Sequence, residues 1–371
     1  MLNNKKIRKV LVLYDEKKIF IGDSCLKFDR LRFVKRFFNN APLDLNTQPE
    51  NCARVYSALL KGNPYINKFS NTKWSEIDFL DYDVVITISH EERHLLRLFR
   101  EKYGAPDYDS RKPLLYSLSR ATLHPENPVT MSSIPECKEL QDFVASCQDQ
   151  ITPELYISAE EKEWANDWLR KNGLEPGNHL NILVDSASNK GKLLREDVYF
   201  EVIAEMLKQD RTKLLVFDEA GIGKKELYTA RLGTAGATKI IFCNRLGLRE
   251  ALCIVSSDHT KLIFGPCTGL LHCASGIYHI FNKNAKLRRQ APLMIVYTGI
   301  YTKIEEGARK WWGHCPMVDC LLLRNYGNKK EIRLLQEVEQ NKNLDLTPAL
   351  PCSEYTTPLL IDMLRKLGGI K

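Results

Sequence analysis
The stretch that most constrains how this chain can fold runs from Leu246 to Ile277, LGLREALCIVSSDHTKLIFGPCTGLLHCASGI. Its spacing predicts a helix over Leu248 to Ser256 and an apolar strand over Lys261 to Phe264. A tight turn rich in Gly and Thr follows from Gly265 to Gly269, and a second helix starts at Leu270. A strand that passes through such a turn into a helix leaves free backbone N–H groups aimed at one spot. That spot also carries the positive end of the helix dipole, so it suits a phosphate. Thr268 can add a hydroxyl donor, and Gly269 lets a ligand approach the backbone closely. Any doubly wound α/β protein has turns of this kind, so the turn alone names no ligand.

The rest of the chain follows the same alternation. In the N-terminal half, strands are predicted over Lys9 to Tyr14 and Asp83 to Ile88, with helices over Leu26 to Phe38, Cys52 to Leu60 and up to Tyr103. A short element is expected over Leu114 to Leu123, in a region made loop-rich by Pro113, Pro125, Pro128 and Pro135. A boundary is expected near Thr152 to Leu155, followed by a helix from Ala159 to Asn172 that Gly173 stops. The second series has strands Leu180 to Val184, Lys213 to Phe217, Lys239 to Phe242 and Leu293 to Tyr297. Helices Glu196 to Lys208 and Lys224 to Leu232 lie between them. The segment from Ile304 to Pro351 reads as irregular and partly helical, and Pro358 to Leu367 as an amphipathic helix. Short apolar runs separated by helices imply parallel sheets covered on both faces. The organisation expected is an N-terminal domain over 1–152, a C-terminal domain over 153–355, and a final helix in 356–371 that packs back on the N-terminal domain.

Length and composition agree. At 371 residues the chain exceeds the usual size of one domain. A formal charge of +8 is modest and diffuse, and no helix-turn-helix, zinc-finger or aromatic-interleaved basic pattern points to nucleic acid. Two basic segments, Lys27 to Arg36 and Lys283 to Arg289, are either solvated faces or contacts for an anionic acceptor or an anionic inner leaflet. No apolar run reaches the roughly 18 residues of a membrane span. The first apolar segment is too short for a secretory signal, so a cytoplasmic location is expected. The eleven scattered cysteines fit free thiols better than a disulfide framework.

The stretch around the Gly/Thr turn resembles the nucleotide-sugar signature of the ADP-heptose glycosyltransferases, glycosyltransferase family 9. Leu248-Arg249-Glu250 matches the first part of that signature and Thr268-Gly269-Leu270-Leu271-His272-Cys273-Ala274 the second, with Cys267 where the family has Asp. The resemblance also covers Asn63 to Asn67 and Tyr82 to Ile86. It implies the GT-B fold, two Rossmann-like doubly wound domains facing a cleft. It implies an inverting transfer of a sugar, heptose from ADP-heptose, to a glycan such as lipopolysaccharide core, without a metal or other cofactor. Gly22-Asp23 matches the family's Gly-Asp pair, which implies that Asp23 is the catalytic base; the residue-level alternative is that Asp23 or Ser24 caps a helix starting at Cys25. Ser188 and Lys192 match the family's second-domain loop, where the lysine compensates diphosphate charge. Leu194 stands where the family has Trp.

Other candidates come from the residues themselves. Asp218 and Glu219, at a strand end, could bond a ribose or base edge. His272, on the first turn after the phosphate loop, either donates to a phosphate or packs. Trp311-Trp312 suit a sugar platform or buried packing. Cys315 and Cys320 after His314, with Cys352, lack the paired knuckles of a zinc site. Two other classes compete: a non-catalytic nucleotide-sugar binding protein on the same fold, and a nicotinamide-dependent oxidoreductase. The second is disfavoured because no G-x-G-x-x-G follows either first strand.

Overall fold
A computed structural model describes residues 7–16, 19–47, 51–104, 113–122, 133–147, 152–218, 223–284, 291–299, 312, 317–340 and 349–370. The chain divides into two compact units, Met1–Ile151 and Thr152–Lys371.

The first unit contains β1 (Val10–Asp15), α1 (Ile21–Phe28), α2 (Arg30–Phe37), β2 (Leu43–Thr47), α3 (Asn51–Leu60), β3 (Lys68–Ser70), β4 (Val84–Ser89), α4 (Glu92–Tyr103), β5 (Leu114–Ser117), α5 (Ser119–Thr122) and α6 (Lys138–Ser146). Its strands form one parallel sheet in the order β3-β2-β1-β4-β5. Both faces of β1 are buried. Leu11 and Leu13 pack with Trp74, Phe79, Leu95 and Phe99 on one face. On the other, the Tyr14 ring meets Phe28 at 5.0 Å and Tyr56 at 5.5 Å.

Several expectations change here. The helix foreseen over Leu26 to Phe38 is two helices parted at Asp29, a buried acid that accepts from Arg32 at 2.9 Å. The first of them starts at Ile21, so Gly22, Asp23 and Ser24 lie inside it rather than in a turn. Strand β2 had no apolar run to announce it. Its Asp44, Asn46 and Thr47 are buried, and their polar atoms are satisfied from distant segments. Asp44 accepts from Asn67 at 2.9 Å and from Tyr82 at 3.1 Å, and pairs with Lys9 at 3.3 Å. Asn46 accepts from Ser70 and from the Thr72 N–H, each at 2.9 Å. Asn67 and Tyr82, both in runs that carry the family resemblance, thus serve the architecture.

The second unit contains α7 (Ala159–Lys171), β6 (His179–Leu183), α8 (Glu196–Leu207), β7 (Thr212–Asp218), α9 (Lys224–Ala237), β8 (Ile240–Asn244), α10 (Leu248–Val255), β9 (Thr260–Pro266), α11 (Gly269–Lys283), β10 (Leu293–Thr298), β11 (Val318–Tyr326), β12 (Lys329–Leu334), α12 (Leu335–Gln340) and α13 (Thr357–Lys366). The sheet order is β12-β11-β10-β9-β6-β7-β8, parallel except for the β11–β12 pair. On one face Leu183, Leu214, Val216 and Phe264 pack with Val198, Val202 and Met206 of α8. Alternate residues Ile182, Leu215 and Ile263 are equally buried, so the sheet is covered on both sides.

Two corrections belong to this unit. The segment read as irregular contains the β11–β12 hairpin, in which Tyr326 pairs with Lys329 across Gly327-Asn328. Gly327 has φ +59°, the left-handed conformation that a two-residue hairpin turn needs. The terminal helix α13 is not a separate piece but part of the second unit. Its Leu360, Met363 and Leu364 are part of the same core as α8 and β6.

Candidate active site
Sheet order picks out one place in each unit. In an open parallel sheet, ligands bind beyond the carboxyl ends of the strands, where the direction of winding reverses. The second chain segment winds from β6 through β7 to β8, then returns to the other side of β6 at β9. The switch point is therefore between β6 and β9. The strands approach closely there. A Cβ on Gly265 would stand 2.6 Å from the Val184 carbonyl oxygen, so glycine is required.

Both turns singled out in the sequence converge on this point. Beyond β6 the chain makes a short 3-10 turn at Lys190–Lys192, capped by Asn189, which accepts from the Gly191 N–H at 2.9 Å. Lys192 then reaches across, and its Nζ donates to the Cys267 carbonyl at 3.3 Å. On the β9 side, Thr268 is the N-cap of α11 with extended backbone (φ −136°, ψ 167°), and Gly269 is the first helical residue. The Thr268 side chain does not cap the helix. Its Oγ1 is buried with no hydrogen-bond partner among the described residues. An ammonium, an unsatisfied hydroxyl and the first N–H groups of a 15-residue helix meet at one place. That set suits an anion with several oxygens.

The remaining donor candidates lie as follows. Ser188 is exposed on the loop before Asn189. Asp218 ends β7 and is buried. Glu219 lies outside the described residues. His272 is buried, its ring stacked on Trp312 at 4.1 Å and its Nε2 3.6 Å from the Cys267 sulfur. The indole of Trp312 is thus interior packing, and Trp311 lies outside the described residues. Cys320 is buried inside β11. Cys352 presses on Gly299, and burial, reinforced by Cys267, pushes its thiol up to about 12. Among the described residues no group of three or more His, Cys, Asp or Glu is placed to hold a metal. His314 and Cys315 lie outside them.

The first part of the signature is structural. Arg249 holds Glu161 of α7 through two bonds of 2.9 and 2.6 Å and also donates to the Tyr156 carbonyl at 2.7 Å. Glu250 closes the start of α10 by accepting from the Gly247 N–H at 2.7 Å. Sequence reasoning also passed over Asp185, two residues beyond β6. It accepts from Lys224 at 2.6 Å and from Tyr228 at 2.8 Å. The rule that selected Asp218, an acid at a strand end, selects Asp185 as well.

In the first unit the switch point lies between β1 and β4. Asp15 ends β1 and Ser89 ends β4, and Ser89 Oγ donates to Asp15 at 3.4 Å. Burial raises the Asp15 carboxyl above the usual range; Ser89 opposes this, and Glu91 and Glu16 add to it. Asp23 is half-buried in the first turn of α1. The capping alternative fails, because Phe20 is the N-cap and Asp23 is already helical. An acid in the first turn still gains from the helix dipole. Glu16 is buried and ion-paired with Lys27, so part of the first basic segment is engaged internally. Lys283, of the second, pairs with Glu154.

No protein-family model matches the chain, and no curated protein matches it in sequence. Solved structures do match. The chain is similar to the ADP-heptose lps heptosyltransferase II of E. coli at 14% identity and a TM-score of 0.60, over 97% of this chain and 98% of that one. It is similar to a family 9 glycosyl transferase from Veillonella parvula at 12% identity and a TM-score of 0.60, over 97% of each chain. The protein therefore has the GT-B type of fold shared by those structures, built from two Rossmann-like α/β units.

Proposed function
We propose that this protein is an inverting glycosyltransferase that moves a sugar from a nucleotide-sugar donor to a glycan acceptor. The observation that carries the reading is the convergence of Lys192, the unsatisfied Thr268 hydroxyl and the start of α11 at the β6/β9 switch point. The donor's diphosphate occupies that point. As the anomeric carbon leaves the diphosphate, negative charge grows on the leaving group, and fixed donors already facing it lower the barrier. The acceptor hydroxyl attacks from the opposite face, and Asp23 takes its proton. Ser188, Asp218 and Glu219 contact the nucleotide, and His272 backs the phosphate loop.

The reading extends to ADP-heptose as donor and to an anionic, lipid-linked glycan such as lipopolysaccharide core as acceptor. It places the reaction in the cytoplasm, with peripheral contact at the inner membrane surface. The cationic side chain and helix amides replace a bridging cation, so no metal or other cofactor is required. Full turnover in EDTA is the expected result; loss in chelator restored by Mg²⁺ or Mn²⁺ would refute it.

A thermal-shift screen of nucleotide sugars tests the reading. A true donor at 100 times its dissociation constant stabilises by about 2.7 kcal/mol. ADP-heptose should shift the melting transition; a screen in which no nucleotide or nucleotide sugar does so overturns the proposal. Cys267, in place of the family's Asp, favours a second reading, a binding protein without turnover. Release of free nucleoside diphosphate from a bound donor in the presence of a glycan acceptor separates the two.

A further inference from the structure
We infer that Lys224, acting through Asp185, is a positioning residue for the donor loop: it sets the root of the segment that carries Lys192. The inference rests on the donor-site reading above. Asp185 lies at the start of that segment, two residues past β6. Lys224 is the first residue of α9, one strand away. Its Nζ donates to Asp185 Oδ1 at 2.6 Å and to the Phe217 carbonyl near the end of β7. The ammonium therefore stitches together the carboxyl ends of two adjacent parallel strands. The second carboxylate oxygen accepts from Tyr228 at 2.8 Å, and the Tyr228 hydroxyl meets that of Tyr199 at 2.9 Å. Burial above all raises both phenols, which keeps them neutral.

The pair is largely buried, with side-chain exposures of 10% for Lys224 and 14% for Asp185. Burying two charges costs desolvation that their attraction offsets only in good geometry, and packed apolar residues would stabilise as well or better. Apolar residues would not give direction. Asp185 is held at both oxygens, and the chain leaves it toward Lys192 with one orientation. Lys224 itself is neutralised by Asp185. Lys192 bonds a neutral carbonyl instead and keeps its charge for the diphosphate.

Calorimetric titration with ADP tests this on the full-length parent and five variants, Lys192→Ala, Lys224→Met, the double variant, Lys224→Arg and Tyr228→Phe, all well below their melting temperatures. Lys192→Ala and Lys224→Met should each weaken ADP binding by roughly ten- to a hundredfold. The double variant should bind no more weakly than Lys192→Ala alone, because Lys224 acts through Lys192. Lys224→Arg should recover most of the loss. Tyr228→Phe keeps the ion pair and should show a smaller loss, which preserves the test should Lys224→Met fail to fold. If Lys192→Ala weakens binding and Lys224→Met does not, or if the two effects add, the positioning role is wrong and the donor site stands. If Lys192→Ala binds ADP normally, the donor site falls and this inference with it.

Discussion

Asp15 ends β1 and Asp23 lies in the first turn of α1, and the proposed function gives them different work. Asp23 belongs to a helix start that matches the family's Gly-Asp pair, whereas Asp15 sits at the strand end under Ser89. Asp23→Asn is expected to leave melting temperature and ADP affinity nearly unchanged while cutting turnover by ~10²–10⁴-fold. Asp15→Asn is the control. If it abolishes turnover and Asp23→Asn does not, the match of Gly22-Asp23 to the Gly-Asp pair is misplaced. Asp15 makes a prediction of its own. Its carboxyl is raised in the folded state, mainly by burial. Its contribution to stability is thus present below the unfolded carboxylate value and lost as pH rises through the folded one. Asp15→Asn, which cannot ionise, should be more stable relative to the parent at pH 7 than at pH 4, measured by urea unfolding. An Asp15→Asn protein that is more stable relative to the parent at pH 4 than at pH 7 would contradict the assignment. Cys267 is half-buried at the phosphate loop, whereas Cys352 is buried with a raised thiol. Iodoacetamide should label Cys267 before Cys352, ADP should slow that labelling, and peptide mass spectrometry reads both rates.

At the scale of elements, the parts legible in the sequence were those whose signal is local. The strand, Gly/Thr turn and helix from Thr260 to Lys283 follow from an apolar run, a glycine and a helical period in sequence order. The helix expected to end at Leu232 in fact continues to Ala237, but it is bent at Gly233, which has φ +72°. Strand β2 was hidden because three of its five residues are polar, and their partners lie 23 to 38 residues away. The β11–β12 hairpin did carry a signal, Gly327-Asn328 between two strand-like runs, which was passed over. In the candidate site, Thr268 and Gly269 were picked out by a local rule, the free N–H groups after a strand, whereas Lys192 was picked out by the family resemblance. The Asp185–Lys224–Tyr228 group joins residues 39 and 43 positions apart, and no local rule pairs them. Two element-scale outcomes follow. Gly265→Ala forces β9 away from Val184 and should cost about 1–3 kcal/mol in urea unfolding, with loss of ADP binding. Arg249→Met leaves Glu161 largely buried without its partner and should cost about 3–5 kcal/mol. An Arg249→Met protein of parental stability would show that this signature arginine is not the tie between α7 and α10.

The molecule as a whole comprises two Rossmann-like units, each with candidate groups at the switch point of its own sheet. In the first these are carboxylates, and in the second they are a cation and helix amides. The division suits a transfer in which one unit deprotonates an acceptor and the other holds an anionic leaving group. The fold agrees with glycosyltransferase structures across nearly the full chain at an identity where side-chain roles do not carry over by themselves. The central claim therefore rests on where the diphosphate binds. Hydrogen–deuterium exchange with and without saturating ADP measures this directly. The account predicts slowed exchange in two segments, the loop from Asp185 to Arg195 and the start of α11 at Thr268 to His272, with little change around β8. Binding of ADP that leaves both segments exchanging at their free rates would contradict it.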